Sequence, residues 1–425
     1  MSEDYGFETR MIHAGSRPEA VSGARQTPIF QNTSYVFQDV DHAADLFNLQ
    51  DFGFIYSRLT NPTVSVLEER MASLEGGRGA TCSASGHAAQ MLLMQALMLP
   101  GARVVVSTKL YGGSITQFGK TFKKFAWHAD FVDTNDLSAV EAAMTEDTRA
   151  IFVESLANPG GVVSDLEGLA KIANAHGVPL VVDNTLATPY LCRPFEWGAD
   201  LIVHSTTKYM SGNGTSLGGC VVDSGTFNWA QNDKFPSLAQ PEEAYHGLTF
   251  FETFGDMALT AYLHAVGLRD LGASMAPQNA FQTILGSETL SLRMERHCTN
   301  AQKIAEYLES HPAITAVSYA GLKSSSFYQL GQKYMPLGQG GVFTAQLKGG
   351  FAAGVKFVES VNLFSHLANV GDARSLVLHP ASTTHRQLTP EQREAAGAGD
   401  DIVRISVGLE TVSDLIRDLD QALAD

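Results

Sequence analysis

Short apolar runs that end in polar residues recur along the first half of the chain. Residues 180–182 lead into Asp183, and residues 201–203 lead into a polar stretch that reaches Lys208. Runs of this length and ending are typical of interior strands in a parallel sheet. In such sheets ligands bind outside the carboxyl ends of the strands. The pattern therefore places Asp183 and Lys208 at one site, each at the tip of a strand.

The same alternation of strands and helices extends from about residue 78 to residue 222. It predicts a short strand after Gly77 and further strands at 103–106, 129–132 and 150–154, with helices at 62–75, 88–99, 136–144 and 166–176. Strands that alternate with helices in this way are typical of a parallel α/β sheet with helices on its faces.

The second half of the chain has a different pattern. A long helical region covers about 257–308 and is interrupted by Gly272 and Pro277. Beyond it, strands near 314–317 and 341–347 alternate with helices at 354–361 and 412–423, which predicts a smaller α+β domain. We therefore expect an arm at residues 1–50, an α/β domain at 51–256 and an α+β domain at 257–425.

The predicted arm has little periodicity, but it is too apolar to remain solvated. We expect it to pack on the body of the protein or on a neighbouring subunit, with one short helix at 42–49.

Composition narrows the possible partners. The net charge of −16 over 425 residues argues against nucleic acid or an anionic membrane as a partner. The four cysteines are scattered without a C-x-x-C pair, which disfavours a metal site or a disulfide framework and favours a reducing cytoplasm. We also expect no signal sequence and no membrane span, because no apolar stretch is long enough.

Asp183 and Lys208 together suggest a specific chemistry. A lysine amine condenses with aldehydes, and a carboxylate can keep a pyridine nitrogen protonated, so the pair suits pyridoxal phosphate. Ser205 and Thr207 flank the lysine and offer hydroxyl donors to a phosphate. The alternative is an ordinary strand-end aspartate and a solvated surface lysine.

The surrounding motifs favour the cofactor. Val-Asp-Asn-Thr at 182–185 and Ser-Thr-Thr-Lys-Tyr at 205–209 resemble the signature of the Cys/Met-metabolism family of pyridoxal phosphate enzymes. The resemblance implies the fold of the type I (aspartate-aminotransferase-like) superfamily, with a mostly parallel central sheet flanked by helices and a smaller α+β C-terminal domain. It also implies that Lys208 bonds the cofactor and that Asp183, Thr185, Ser205 and Thr207 contact it.

A second motif, Tyr-Ser-Arg-x-x-Asn-Pro-Thr at 56–63, also resembles the family. There, the equivalents of Tyr56 and Arg58 reach across a dimer to the cofactor phosphate of the partner subunit. A guanidinium suits phosphate oxygens, and a phenol adds one more donor. The resemblance therefore implies at least a dimer, and a dimer of dimers is usual in the family. The alternative for Arg58 is an exposed arginine in a loop.

Other cofactor contacts are implied around the same site. Ser83 to His87 form a small-residue turn before a helix, which is a suitable phosphate cradle although such residues are also ordinary helix caps. In the family this turn, here Gly86 and His87, holds the phosphate. His87 departs from the usual Met, Leu or Gln, so it either contacts the phosphate or caps the helix. Tyr111 is implied to stack on the pyridine ring and assist proton transfer, and Asn158 to lie near the phenolic oxygen.

The C-terminal part resembles the family's substrate-binding segments. Residues 367–372 and 375–385 resemble the substrate-facing loop, which includes Asn369 and Thr384, and residues 403–410 resemble a strand that carries Arg404. In the family this arginine binds the substrate α-carboxylate. The alternative for Arg404 is an internal salt bridge.

Members of the family catalyse β-elimination, γ-elimination or γ-replacement. Enzymes that make or break cystathionine often carry Glu-Ser where this chain has Ala368-Asn369, and methionine γ-lyases tend to have Cys at Gly113. The sequence most resembles the sulfhydrylases, which implies conversion of O-acetylhomoserine and sulfide to homocysteine and acetate in methionine biosynthesis. The alternatives are a γ-lyase, a γ-synthase, a sulfhydrylase of the succinyl ester, or a cofactor-binding protein without turnover.

Overall fold

The computed structural model describes residues 5–384, 386, 389, 393 and 397–424. In this part of the chain, seven strands form a central sheet in the order β1-β7-β6-β5-β4-β2-β3. The strands are β1 (Gly79–Ser83), β2 (Arg103–Ser107), β3 (His128–Val132), β4 (Thr148–Glu154), β5 (Leu180–Asp183), β6 (Leu201–His204) and β7 (Gly219–Asp223).

Strand β5 lies between two parallel neighbours, β4 and β6, as its apolar sequence predicts. Strand β6 is also interior, but its other neighbour, β7, is antiparallel. The segment between β6 and β7 contains no helix to carry the chain back across the sheet, so β7 runs in the opposite direction. The sheet is therefore mostly parallel, with one reversed strand that also pairs with β1.

Helices flank this sheet, and their ends follow local signals. In the helix Pro62–Glu75, the side chain of Asn61 accepts from the backbone N–H of Thr63, and Gly76 ends the helix with φ of 79°. The other α-helices before residue 290 are Phe7–His13, Val40–Phe47, Gly86–Leu97, Gly112–Thr116, Leu137–Ala143, Leu166–Ala175, Thr188–Leu191, Pro236–Ala239, Phe250–Phe254, Ala258–Tyr262, Arg269–Leu271 and Pro277–Ser287.

Within the described residues a second sheet has five strands in the order β10-β11-β12-β9-β8. They are β8 (Ile314–Ser318), β9 (Val342–Leu347), β10 (Ser365–His366), β11 (Leu376–Leu378) and β12 (Ile402–Ser406). The α-helices of this half are Leu290–Glu309, Tyr328–Tyr334, Gly350–Ser360 and Val412–Leu423. The predicted α+β character of this half is confirmed.

Each sheet has its own apolar core. The core of the central sheet extends into the helices Ala258–Tyr262 and Pro277–Ser287. The predicted helix at 42–49 is present as Val40–Phe47, and an unpredicted helix, Phe7–His13, inserts Met11 into the same core. The beginning of the arm therefore packs on the body of the same chain.

Candidate active site

A cavity lies at the carboxyl ends of the central strands. The strand ends of the central sheet line it together with residues 368–370, Thr384 and Arg404. The lining residues are Ser85, Gly86, His87, Gln90, Tyr111, Ser114, Glu154, Leu156, Asn158, Asp183, Thr185, Leu186, Ser205, Thr207, Lys208, Leu217, Ala368, Asn369, Val370, Thr384 and Arg404. The structure thus brings together all the site residues predicted from the sequence except Tyr56 and Arg58.

Lys208 follows the end of β6 by four residues. Its Nζ atom donates to Oδ1 of Asn369 across 2.6 Å. Burial, and then the positive charge of Arg404, lower the pKa of Lys208 to about 8. Since an amine is a nucleophile and a base only when it is neutral, this shift makes Lys208 reactive close to neutral pH.

Asp183 is the last residue of β5, and its carboxylate faces the cavity. Its Oδ1 accepts from the backbone N–H of Thr185 at 3.0 Å, and its Oδ2 accepts from Nε2 of Gln90 at 3.4 Å. Burial raises the pKa of Asp183, and the hydrogen bonds from Thr185 oppose that rise. A buried carboxylate of this kind suits a cationic partner, such as a protonated ring nitrogen.

Glu154 is a further site residue, and its role is not evident from the sequence. It ends β4 in register with Asp183 at the end of β5. Its Oε1 accepts from the backbone N–H of Tyr111 at 2.7 Å, and its Oε2 accepts from that of Asn158 at 2.9 Å. Burial, and then the charge of Asp183, raise the pKa of Glu154 to about 8. The carboxyl group therefore holds two loops of the cavity wall in place.

Small residues leave room for a phosphate at the start of the helix Gly86–Leu97. Ser85 caps this helix by accepting from the backbone N–H of Ala88. A Cβ atom on Gly86 would lie 2.8 Å from Cβ of Ser205, so a side chain there would close the space between the two segments. The helix N-terminus and the nearby hydroxyl groups of Ser205 and Thr207 make a suitable anion cradle.

His87 and Tyr111 form one wall of the cavity. Their ring centroids are 5.8 Å apart. Burial lowers the pKa of His87, so the imidazole is held neutral. The suggestion that His87 caps the helix is wrong, because Ser85 makes that contact.

Arg404 lies on β12 and is buried. Its Nη1 donates to Oδ1 of Asn158 at 3.3 Å and its Nη2 to the backbone oxygen of Asn369 at 3.0 Å. No carboxylate among the described residues pairs with this guanidinium, so the internal salt bridge considered above is wrong for that part of the chain. Thr384 also lines the cavity. The predicted substrate-facing segment continues to residue 385, which lies outside the described residues.

Tyr56 and Arg58 do not line this cavity in their own chain. Nη1 of Arg58 donates to the backbone oxygen of Arg269, and its guanidinium lies 5.5 Å from the centre of the Tyr56 ring. Both side chains are exposed.

The donor set of the cavity fits pyridoxal phosphate. It combines an amine of lowered pKa, a buried carboxylate and a helix-terminal cradle with hydroxyl groups. The described residues contain no group of histidine, cysteine or carboxylate side chains that can hold a metal ion. The four cysteines are buried and unpaired. No helix in the described part of the chain is both long and apolar enough to cross a membrane.

Comparison with known proteins agrees with this geometry. A family model described as Cys/Met metabolism PLP-dependent enzyme matches residues 8–424, and the chain belongs to that family. Pyridoxal phosphate is therefore its cofactor, and the predicted family, fold class and cofactor are confirmed.

Particular relatives cover the whole chain. An O-acetyl-L-homoserine sulfhydrylase of Leptospira meyeri is 45% identical over 100% of this chain and 98% of its own length. A homocysteine synthase of Schizosaccharomyces pombe is 45% identical over 99% of both chains. A crystal structure from Campylobacter jejuni, of a protein assigned as an O-acetylhomoserine (thiol)-lyase, superposes with a TM-score of 0.96 at 40% identity, covering 99% of this chain and 100% of that one. In that structure a pyridoxyl phosphate group is bonded to a lysine.

Proposed function

We propose that the protein catalyses a γ-replacement in which sulfide displaces the acetyl ester of O-acetyl-L-homoserine, giving L-homocysteine and acetate. The observation that carries this proposal is a cavity in which Lys208 and Asp183 face an uncharged Ala368-Asn369 pair. Relatives that are about equally similar over their full length are described as O-acetyl-L-homoserine sulfhydrylase and homocysteine synthase. The reaction belongs to methionine biosynthesis by direct sulfhydrylation.

The cofactor, when bound, withdraws electrons from the substrate carbon atoms. Asp183 supports this by holding the ring nitrogen protonated. Lys208 would hold the cofactor through its amine, and the same amine is placed to remove the proton from Cα of the substrate and to move a second proton at Cβ. Acetate leaves from Cγ, and hydrosulfide forms the new carbon–sulfur bond there. Tyr111, which lines the cavity, would stack on the ring and share these proton transfers.

Substrate orientation depends on Arg404, Asn369 and Thr384. Arg404 binds the α-carboxylate, because its fork-shaped guanidinium matches two carboxylate oxygens. The cofactor phosphate would be held by Gly86, His87, Ser205 and Thr207, and Asn158 would lie near the phenolic oxygen. Thr185 holds the Asp183 carboxylate by a hydrogen bond. In this assignment both cationic side chains of the described cavity wall, Lys208 and Arg404, are already engaged. A succinyl ester carries an additional carboxylate, so the charge balance favours the neutral acetyl ester.

The same comparison of substrate charges with the charges of the cavity wall indicates the sulfur donor. Cysteine brings its own amine and carboxylate, and Ala368-Asn369 offers no carboxylate for that amine. Hydrosulfide or a small thiol needs no such contact. The proposed partners are small molecules, and the net charge of −16 argues against nucleic acid or an anionic membrane.

We further propose that the enzyme is a homo-oligomer, at least a dimer and in full a tetramer, in the cytoplasm. The support is that Tyr56 and Arg58 are exposed and away from the cavity of their own chain. In a dimer they can complete the phosphate site of the partner. Mixing two inactive variants, Arg58→Ala and Lys208→Ala, tests this, because a shared site restores some activity in hybrid dimers.

Product identity tests the reaction. The purified, cofactor-loaded protein receives O-acetylhomoserine with and without sulfide, and homocysteine and 2-oxobutanoate are measured. Homocysteine formation that depends on sulfide supports the proposal. Dominant 2-oxobutanoate in the presence of sulfide identifies a γ-lyase instead, and a faster reaction with the succinyl ester overturns the charge argument above.

A further inference from the structure

A buried acid–histidine pair lies on the face of the central sheet opposite the cavity. Glu75 ends the helix Pro62–Glu75, and His204 ends β6. Both side chains have no exposed surface, and Oε1 of Glu75 lies 2.5 Å from Nε2 of His204. Asp183 is in register with Val203, so His204, one residue further, points to the other face of the sheet.

The pair is the centre of a network that joins three strand ends. Oε1 of Glu75 also accepts from Nδ2 of Asn184 at 2.8 Å. Oδ1 of Asn184 accepts from the hydroxyl group of Ser155 at 2.7 Å. Ser155 follows Glu154, Asn184 follows Asp183, and His204 precedes the turn that carries Lys208. One carboxylate therefore fixes, from behind, the strand ends that carry the active-site acids and the lysine.

The pair has few other polar contacts. Oε2 of Glu75 and Nδ1 of His204 have no hydrogen-bond partner within the described structure. The titratable groups that interact with the pair include Asp183 and the thiol of Cys192, and the guanidinium of Arg193 lies beside Gly76. An electrostatic interaction with His204 lowers the pKa of Asp183 and so opposes the effect of burial. Through Oε1 alone, Glu75 therefore holds both His204 and Asn184, the residue next to Asp183.

We propose that Glu75 and His204 are positioning residues of the active site, and that their contact holds the ends of β5 and β6 so that Asp183 keeps its place against the protonated ring nitrogen of the cofactor. The expected change in kcat rests on the proposed function, whereas the expected change in the absorbance of the bound cofactor does not. Neither residue touches substrate or cofactor, because both lie behind the sheet.

The chain offers a matched control. His264 and Glu68 form a second pair, with Nε2 and Oε1 3.1 Å apart, and Glu68 lies on the same helix as Glu75. Oε1 of Glu68 accepts from the backbone N–H of Cys82 in β1, far along the sheet order from β5. His264→Gln removes the same chemical group without touching the network behind Asp183.

The main experiment follows the absorbance of the cofactor-loaded protein from pH 6 to pH 10 in the absence of substrate. His204→Gln and Glu75→Gln each keep a polar side chain but break the contact between the carboxylate and the imidazole. In both variants a less firmly held ring proton makes the lysine-bonded nitrogen of the cofactor more basic. We expect the absorbance midpoint to rise by at least ~0.5 pH unit and kcat to fall about tenfold with little change in KM.

The double variant tests whether the two residues act together, and the control tests whether the effect is specific to this pair. His204→Gln combined with Glu75→Gln should match either single variant, because the two residues act as one unit. His264→Gln should keep the wild-type midpoint. A wild-type midpoint in His204→Gln or Glu75→Gln overturns the proposal, whatever the enzyme's substrate proves to be.

A measurement on the unaltered enzyme covers the case in which the variants do not fold. Neutron diffraction of the cofactor-loaded wild-type protein locates hydrogen atoms directly. The proposal requires a hydrogen atom between Oε1 of Glu75 and Nε2 of His204, and a second one on Nδ2 of Asn184 directed at the same oxygen. A structure that lacks either hydrogen bond contradicts it.

Discussion

Asn369 binds both cations of the active-site cavity. Its side-chain oxygen accepts from Nζ of Lys208 at 2.6 Å, and its backbone oxygen accepts from Nη2 of Arg404 at 3.0 Å. The two positive groups are thereby held close together, and Arg404 contributes to the lowered pKa of Lys208. The reactivity of the lysine is therefore set in part by a residue on the second sheet's side of the cavity.

Asn369→Asp should make Lys208 less reactive at neutral pH. A carboxylate beside the amine favours the ammonium form and raises its pKa above about 8. The rate of pyridoxal phosphate incorporation into the cofactor-free protein should rise with pH in both proteins, because the neutral amine attacks the aldehyde. The midpoint should be near pH 8 for the wild type and higher for the variant. Asn174→Asp, which adds the same charge at an exposed position, should leave the midpoint unchanged.

Lys208→Ala should abolish turnover and leave the fold intact. The amine carries both the cofactor bond and the proton transfers, so we expect a loss of at least about 10³-fold. The cofactor can still bind through its phosphate, but borohydride reduction should no longer fix it to the protein. Mass spectrometry after reduction measures this. Retained turnover would refute the assignment of Lys208.

Arg404→Lys should weaken substrate binding more than catalysis. Lysine is a point charge and cannot hold a carboxylate with two parallel hydrogen bonds. We expect KM for O-acetylhomoserine to rise roughly 10–100-fold, which corresponds to the loss of a charge-assisted hydrogen bond, with a smaller change in kcat. Steady-state kinetics measure both values. Arg374→Lys, at a largely exposed arginine, is the control, and an unchanged KM in Arg404→Lys would contradict the prediction.

Asp223→Asn should stabilise the protein at alkaline pH. Burial raises the pKa of Asp223 to about 7, and the charge of Asp200 adds to the rise while the N–H of Gly225 opposes it. Because the folded-state pKa is raised, the protonated carboxyl group contributes fully to the free energy of unfolding below about pH 4. This contribution is lost as the pH rises through 7. The variant has no such loss.

The difference in unfolding free energy between Asp223→Asn and the wild type should therefore be about 2 kcal/mol more favourable to the variant at pH 8 than at pH 5. Denaturant unfolding of the wild type and Asp223→Asn at both values measures it. Asp414→Asn, at a surface carboxylate, should show no pH-dependent difference. An equal effect of Asp223→Asn at both pH values would exclude this origin.

Arg70→Met should destabilise the protein by about 3–5 kcal/mol. Arg70 is fully buried and donates to the backbone oxygens of Ile12, Ala14 and Ile284 and to the hydroxyl groups of Ser16 and Ser287. The guanidinium thus joins the N-terminal helix Phe7–His13 to the helix Pro277–Ser287. Urea unfolding measures the loss, and proteolysis should cut near residue 16 first. Arg17→Met, at an exposed arginine, should change little.

Local signals were enough to predict the centre of the site. Asp183 and Lys208 each follow an apolar run, and an interior strand determines where its polar end must lie. The helix Pro62–Glu75 was also predicted with its correct ends, because Asn61, Pro62 and Gly76 are local start and stop signals. The cradle at Gly86 and the placement of Arg404 in the cavity came from the family resemblance.

Long-range contacts were not visible in the sequence. Glu154 ends a predicted strand just as Asp183 does, but its hydrogen bond to Tyr111 spans 43 residues. The Glu75–His204 pair joins residues 129 apart, and β7 pairs with a strand from much earlier in the chain. No periodicity or turn signal specifies such partners, since they depend on how the completed sheet arranges its strands.

The pairing of β1 with β7 has a consequence for how the protein is made. Gly79 pairs with Asp223, so β1 leaves the ribosome long before β7, its neighbour in the sheet of the described residues. At roughly 5–20 residues per second, synthesis of the intervening chain takes about 7–30 s. During that interval the nascent chain presents β1, Gly-Ala-Thr-Cys-Ser, with unpaired backbone hydrogen-bonding groups next to the unfinished phosphate cradle. A chaperone that binds extended, unpaired backbone should therefore capture chains that stop before residue 219 and release those that continue past residue 223.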